Sequence, residues 1–327
     1  MAIGNASSPV RFGFGQSAVD ARNLYLKVFG GEVLSAFDLA TLTLDKHEVK
    51  SIGSGKSWAF PKVWKATSEY HTPGSELLGT DIDTTEIVIT VDDILVSHTA
   101  IADLDKMLSH FDVRSKFADA MGYELAKVFD KNVFRQLILA ARTSSDGPFP
   151  AGTVITDSAL TDTGVANGAD WIAHIREARR ALYNLDVPEH LPLYFAANGN
   201  VFDAIKWATD ANGRYLVLDR DFAPSGGGTI QGHEERLVID GVQIFKSRNM
   251  PTADETSTTS VYSKYRSNYS TMTGVMWTPM AMATVRRMDI NFETERDTRR
   301  LEDFMVASML VGHGTLRPEC AVEFKTS

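Results

Sequence analysis

The stretch DVRSKFADAMGYELAKVFDKNVFRQLILAAR, Asp112–Arg142, decides how the rest of the chain is read. Val113, Phe117, Met121, Leu125 and Val128 recur at spacings of four, four, four and three, and Leu137 and Ala141 extend the stripe. That period is helical. Arg114, Lys116, Asp119, Lys127, Lys131 and Arg135 fall mainly on the other faces. Asp112 is placed to cap the start, because its carboxylate can accept backbone N–H groups that a first turn leaves free. Ser144, Ser145, Gly147 and Pro148 end the helix through turn chemistry and a missing donor. About 31 residues at ~1.5 Å each give a rod of about 46 Å, against a usual length of ~11–12 residues. Such a rod needs something to lie against along its whole length.

The chain has 327 residues, 43% hydrophobic and 23% charged, with a formal net charge of −9. This is globular composition, enough for one large domain or a few smaller ones. An acidic chain is a poor nucleic-acid grip, since duplex binding rests on Lys and Arg neutralising phosphates. Cys320 is the sole cysteine, which excludes an internal disulfide, and it reads as a small buried hydrophobe. The start, MAIGNASSPVRFGFG, lacks a signal-peptide core, and no run reaches the ~18 apolar residues of a membrane helix. The expectation is a soluble chain, made inside a cell, with no membrane partner.

Residues 1–16 are small, polar and Gly-rich; a short helix over 18–28 follows, with Leu24 and Val28 on one side and Gly30-Gly31 as its stop. Residues 33–44 read as extended or mixed. Without a core of its own, this part reads as an arm lying on something else. Two β-like stretches come next, VKSIGSGKSWAFPKVWKAT (49–67) and TTEIVITVDDILVSH (84–98), around the turn-rich SEYHTPGSELLGTDID. They form a long two-stranded arm. Isolated hairpins are marginal in water, and Trp58, Phe60 and Trp64 are costly to leave wet. Pro61 interrupts ladder pairing. The simple resolution buries the arm on a neighbouring subunit; the alternative packs it on its own domain.

Residues 100–110 read as a short helix or turn, and 149–170 as loop with one short strand. A second helix spans 171–184, with Trp171, Ile175, Ala178, Leu182 and Leu185 on one side. LPLYFAA reads as a buried strand, and Asn200 as the cap of a helix over 201–209. Residues 211–278 read as a separate α+β lobe of short strands and long Gly- and Ser/Thr-rich loops. The end returns to strands, with 297–310 either a helix or a bulged strand. Strands supplied from so far apart imply one sheet built of discontinuous segments.

Candidate chemistry is thin. GSGKS, Gly53–Ser57, lacks the first glycine of a phosphate loop, because Lys50 stands there; a turn between strands fits better. Gly226, Gly227 and Gly228, followed by Gly232, miss the dinucleotide spacing by one residue. Asp81, Asp83, Asp92 and Asp93 lack the glycine of a calcium loop. No His pair sits at i, i+4 on a helix, and no G-x-S-x-G elbow occurs. The expected sets of catalytic, metal-binding and cofactor-binding residues are empty. Lys50, Lys56, Lys62 and Lys65 crowd the hairpin, where they are either solvated or set to meet an acidic neighbour.

Four strings carry a family resemblance: LKVFGGEVL (26–34), KSIGSGKSWAFP (50–61), HFDVRS (110–115) and GHGTLRPE (312–319). In order and spacing they resemble the major capsid proteins of T-seven-like short-tailed phages. The resemblance covers residues from about 24 to the end and is weakest over 147–280. It implies an α+β fold of the HK-ninety-seven capsid type, with an N-arm (1–46), an E-loop (47–97), a P-domain (98–189 and 281–327, with the spine helix at about 112–143) and an A-domain (190–280). It also implies a structural protein, not an enzyme, that builds hexamers and pentamers of an icosahedral T=7 shell in the virion. Assembly would occur in the host bacterial cytoplasm around a scaffolding protein, with a portal at one vertex, and the shell would expand and enclose double-stranded DNA. Lys56, Trp58, Phe60, Lys62 and Trp64 of the E-loop, and Leu24, Val28 and Phe29 of the N-arm, are the expected inter-subunit contacts. Arg114, Arg317 and Glu319 are expected P-domain contacts, and Gly226–Gly228 an axial loop. Gly122, within the spine, is the expected hinge, with close packing as the alternative. The competing readings are an encapsulin-like nanocompartment shell of the same fold and a soluble hydrolase.

Overall fold

The computed structural model describes residues 32–37, 40–66, 68–74, 76, 79, 81–102, 113–161, 167–209 and 237–327, with side chains in the long helix from Lys116 onward. The spine is α1, Val113–Ala141, 29 residues and about 43 Å. Met121, Leu125, Leu137 and Ala141 of the expected stripe are buried, but around them the column shifts by one residue. Ala118, Met121, Leu125, Ala126, Phe129 and Val133 are buried, whereas Phe117 and Val128 are only half-buried. From Val133 to Ile138 every side chain is buried, which marks a core helix and not a surface one. Arg135, expected on an outer face, is therefore inside, and it is tolerated because its Nε and Nη2 donate to the two oxygens of Glu255 at 2.7 and 2.8 Å. The predicted cap, Asp112, lies outside the described residues.

The chain forms two compact units. The first combines the described part of Met1–Thr41 with Ile94–Lys127 and Met288–Leu310. In it β4 (Leu95–Ala102) pairs antiparallel with β11 (Glu302–Thr315), from Glu302 opposite Ala102 to Met309 opposite Leu95. Residues 100–102 are thus strand. So is most of 297–310, because Met305, Ala307 and Met309 are buried in alternation with half-buried Val306, Ser308 and Leu310. Residues 32–37 are helical, not extended, with Val33 and Phe37 buried. This segment sits against Gly122 of α1, where a Cβ would come within 2.6 Å of the Val33 carbonyl oxygen and 2.8 Å of the Ala36 Cβ. The glycine is needed for close approach.

The second unit holds Leu42–Asp93, Val128–Arg287 and Val311–Ser327. Its centre is a mixed six-stranded sheet, ordered β5-β12-β9-β6-β8-β7. The strands are β5 (Thr153–Thr156), β6 (Leu193–Ala197), β7 (Leu237–Ile239), β8 (Val242–Lys246), β9 (Met272–Trp277) and β12 (Ala321–Lys325). The predicted assembly of one sheet from distant segments is found here. Alternation sorts the side chains by face. Trp277 meets Phe134 of α1 edge to face, while Phe195 and Phe324 meet Trp171 of α2 (Gly168–Asn184). Helices thus cover both faces, which is why β9 is buried at all six positions.

Two boundaries need correction. The helix after β6 is α3 (Gly199–Lys206), and its cap is Asn198, whose backbone is extended and whose Oδ1 accepts the Gly199 N–H; Asn200 is already in the first turn. The described part of 211–278, expected as a separate lobe, shares one sheet with the rest of its unit, since β7, β8 and β9 pair into it with β5, β6 and β12.

Gly122→Ala sets a gain of ~1 kcal/mol in helix propensity against overpacking of about 1–3 kcal/mol. The overlap involves backbone, which cannot rotate away, so we expect net destabilisation and faster hydrogen exchange in residues 32–37. Unchanged exchange there would contradict the close-packing account.

Candidate assembly surface

The two-stranded arm exists as β2 (Ser57–Val63) paired antiparallel with β3 (Thr84–Thr90). It follows β1 (Glu48–Ser51) and the GSGKS turn, where Gly55 has φ +91°. Pro61 does not end the ladder. It stands inside β2 opposite Glu86, which a two-stranded sheet permits because each strand has a free edge.

The register divides the hairpin into two faces. Trp58 lies opposite Ile89, Phe60 opposite Ile87 and Lys62 opposite Thr85. This face turns towards the chain's own body. Ile89 is 2% exposed. It fills the space that a side chain at position 314 would occupy, since a Cβ on Gly314 would lie 2.6 Å from Ile89 Cγ1. Phe60 and Ile87 are half-buried. Lys62 is 8% exposed, its ammonium 4.0 Å above the Phe149 ring and 4.0 Å from the buried Glu319. Burial pushes its pKa down, with the Glu319 charge opposing. Trp64 meets Phe149 edge to face, with centroids 5.4 Å apart. At the root, the Tyr265 hydroxyl donates to Asp92, and the Asp92 N–H donates to the Val311 carbonyl.

The opposite face carries Ala59, Pro61, Val63 and Val88, all exposed, with Val63 and Val88 at 52% each. Nothing of this chain's described residues covers this apolar strip. Trp58, on the inner face, stays 41% exposed at the turn end, where the Lys50 ammonium lies 5.2 Å from its ring centroid. Lys56 is exposed.

The predicted contacts therefore divide. Lys62 and Trp64 make contacts on their own chain, with Lys62 brought to Glu319, and Phe60 is half-buried. Arg317 is half-buried beside them. Lys56 and part of Trp58 are free to meet another molecule. Leu24, Val28, Phe29, Gly226, Gly227, Gly228 and the Arg114 side chain lie outside the described residues. Sequence reasoning missed Val63 and Val88, although their placement out of phase with Phe60 and Ile89 was a usable period-2 signal. Among the described residues no group of three or more His, Cys, Asp or Glu side chains is placed to hold a metal ion, and no helix is long and apolar enough to cross a membrane.

Known proteins share this architecture. The capsid of Cyanophage P-SCSP1u superposes with a TM-score of 0.73 at 34% identity, covering 88% of each chain. The mature capsid of bacteriophage PhiM1 gives 0.68 at 18% identity, covering 88% of this chain and 87% of that one. The fold is that of a phage capsid subunit, of the α+β HK-ninety-seven type expected. Residues 59–325 match the family described as "Gp10A-like: Major capsid protein", and the major capsid protein of Escherichia phage T7 is 31% identical over 324 residues, covering 93% of this chain and 92% of that protein. The chain belongs to this family of phage major capsid proteins.

The two faces of one strand give a direct contrast. Ile89→Ala should cost about 2–5 kcal/mol of subunit stability, whereas Val88→Ala should stay within roughly 0.5 kcal/mol. Urea unfolding of both variants reads the difference; equal costs would mean that the register or the facing is wrong.

Proposed function

We propose that many copies of this chain close into an icosahedral shell of hexamers and pentamers, on a T=7 lattice, around double-stranded DNA. The observation that carries this reading is the division of the hairpin. One face is anchored on the chain's own body, and the other, through Ala59, Val63 and Val88, presents apolar surface that water leaves unfavourable. A neighbouring subunit is the occupant, with Lys56 and Trp58 at the rim of the contact. No single contact has to be strong, because each subunit is held by several neighbours at once. The N-arm contacts at Leu24, Val28 and Phe29, and the axial loop at Gly226–Gly228, belong to the same scheme. So do a scaffolding protein during assembly in the host cytoplasm, a portal at one vertex, and expansion of the shell.

The chain works by geometry and not by catalysis. Its net charge of −9 repels packaged DNA, so the genome can slide without sticking. Membership in a phage family favours a genome over the enzyme cargo of an encapsulin-like shell. The close contact at Gly122 gives that glycine a packing role; bending of α1 there during expansion is a further part of the proposal.

Val88→Asp places a charge on the outer face without touching the anchored one. Sedimentation should show wild type, co-expressed with its scaffold, as very large particles, and the variant as folded small oligomers. Wild-type particles should protect DNA from nuclease when produced with the packaging machinery. A variant that assembles as well as wild type would remove this face from the interface.

A further inference from the structure

A line of buried polar groups runs through the second unit and ends beside the hairpin root. His47 Nδ1 lies 2.7 Å from the Thr43 carbonyl oxygen. A carbonyl only accepts, so this nitrogen carries a proton and donates. In a neutral imidazole the other nitrogen is then an acceptor. Thr284 Oγ1 lies 2.7 Å from it, so the hydroxyl donates to His47 Nε2. That hydroxyl has one proton, so at its second contact, 2.8 Å from His313 Nδ1, it accepts. His313 Nδ1 is therefore also N–H. What remains is the lone pair of His313 Nε2, on a side chain with no exposure and without a hydrogen-bond partner among the described residues. The direction of every proton in the line follows from one carbonyl at its end.

The line holds the turn over residues 43–47 against β10 (Met282–Asp297) and β11. Other contacts share the task. The Thr43 hydroxyl and N–H donate to Asp130 Oδ1 at 2.7 and 3.3 Å, and the Leu42 N–H donates to Asp130 Oδ2 at 3.1 Å. Trp277 Nε1 donates to the Lys46 carbonyl at 3.0 Å.

We infer that His47, Thr284 and His313 form a proton relay, whose neutral form fastens the 43–47 turn and which loosens it on taking up one proton at Nε2 of His313. The balance is simple. The incoming proton binds the free Nε2 lone pair; the Nδ1 proton of His313 moves to Thr284 Oγ1 as the Thr284 proton moves to Nε2 of His47. His313 ends neutral with its proton on Nε2, Thr284 now donates to His313, and His47 ends as an imidazolium. One proton is gained and no heavy-atom bond changes. The three contacts survive, the two at Thr284 with their proton directions reversed; what loosens the turn is the positive charge, which comes to rest on it in a buried place that disfavours it.

The groups facing this charge come from every side. On the turn, Asp45 favours it and Lys46 opposes it. On α1 stand the Phe129 ring and Asp130. Around His313 stand Phe129 and Tyr265, with Lys264 opposing charge and Asp92 accepting from Tyr265. Burial dominates: it lowers His47 to about 4 and His313 well below the ordinary histidine range. A histidine lowered in the folded state contributes stability that is complete above about 6.5 and is lost as pH falls towards about 4. Burial raises Asp130 and Asp92, which acts on global stability with the opposite sign. A local readout is therefore required.

Hydrogen exchange on the full-length wild-type chain, corrected for intrinsic rates, should show residues 42–50 losing roughly tenfold protection between pH 6.5 and 4.5, with residues 272–277 unchanged. Thr284→Val interrupts the relay but leaves His47 buried, so it should reduce the pH response of exchange at 42–50 without abolishing it; Thr284→Ser, which keeps the hydroxyl, should restore the full response. Nitrogen-15 solid-state NMR of wild type at neutral pH should find both His47 and His313 protonated at Nδ1. A His313 with its proton on Nε2 at neutral pH, or a wild type whose 42–50 exchange does not change with pH, would overturn the relay. So would a Thr284→Val chain that responds to pH as wild type does.

Discussion

Glu323 is a carboxylate with no exposure, in a strand flanked by β5 and β9 and covered on both faces. It is tolerable only because Arg142, one residue past the end of α1, meets it with two hydrogen bonds of 2.7 and 2.5 Å. Removing one partner of such a pair leaves a buried charge uncompensated, at about 3–5 kcal/mol. The same guanidinium also donates to the Asn268 carbonyl and the Ser267 hydroxyl. One side chain thus fixes the helix end, the sheet and the loop before β9 in a single geometry. Arg135–Glu255 repeats the device two turns earlier. The spine is long because its second half is core, and its charges are registration pins.

That core also supports the hairpin. Two strands alone would be marginal. Here Ile89 packs over Gly314, and Lys62 and Trp64 close on Phe149. The outer face is then held in place before any partner arrives. Presenting an apolar strip on a fixed support reduces the ordering cost of association. A flexible arm would have to bear that cost at every one of its contacts.

The sequence disclosed the period-based features well. The long helix, α2, the hairpin and the scattered strands all follow from spacing and turn residues. Facing was harder to read. Phe117 and Val128 fit a helical stripe as well as Ala118 and Phe129 do, and only the three-dimensional partner decides which column is buried. Lys62 looked like an outward charge because nothing in its neighbourhood reveals Phe149 or Glu319, which lie far along the chain. Arg135 was placed outside for the same reason, since Glu255 is equally remote. The family resemblance supplied what periodicity could not, namely that such an arm and such a rod belong together in a shell. It rested on strings such as GHGTLRPE, whose Gly314 now has a physical explanation in the packing of the hairpin root.

The central claim is that the hairpin is two-sided, with one face for its own fold and one for a neighbour. Electron cryomicroscopy of assembled particles, at a resolution that shows side chains, tests it most directly. The account predicts that Val63 and Val88 are covered by a second copy while Ile89 and Lys62 keep their own-chain contacts. Val63 and Val88 facing solvent in the finished shell would contradict it.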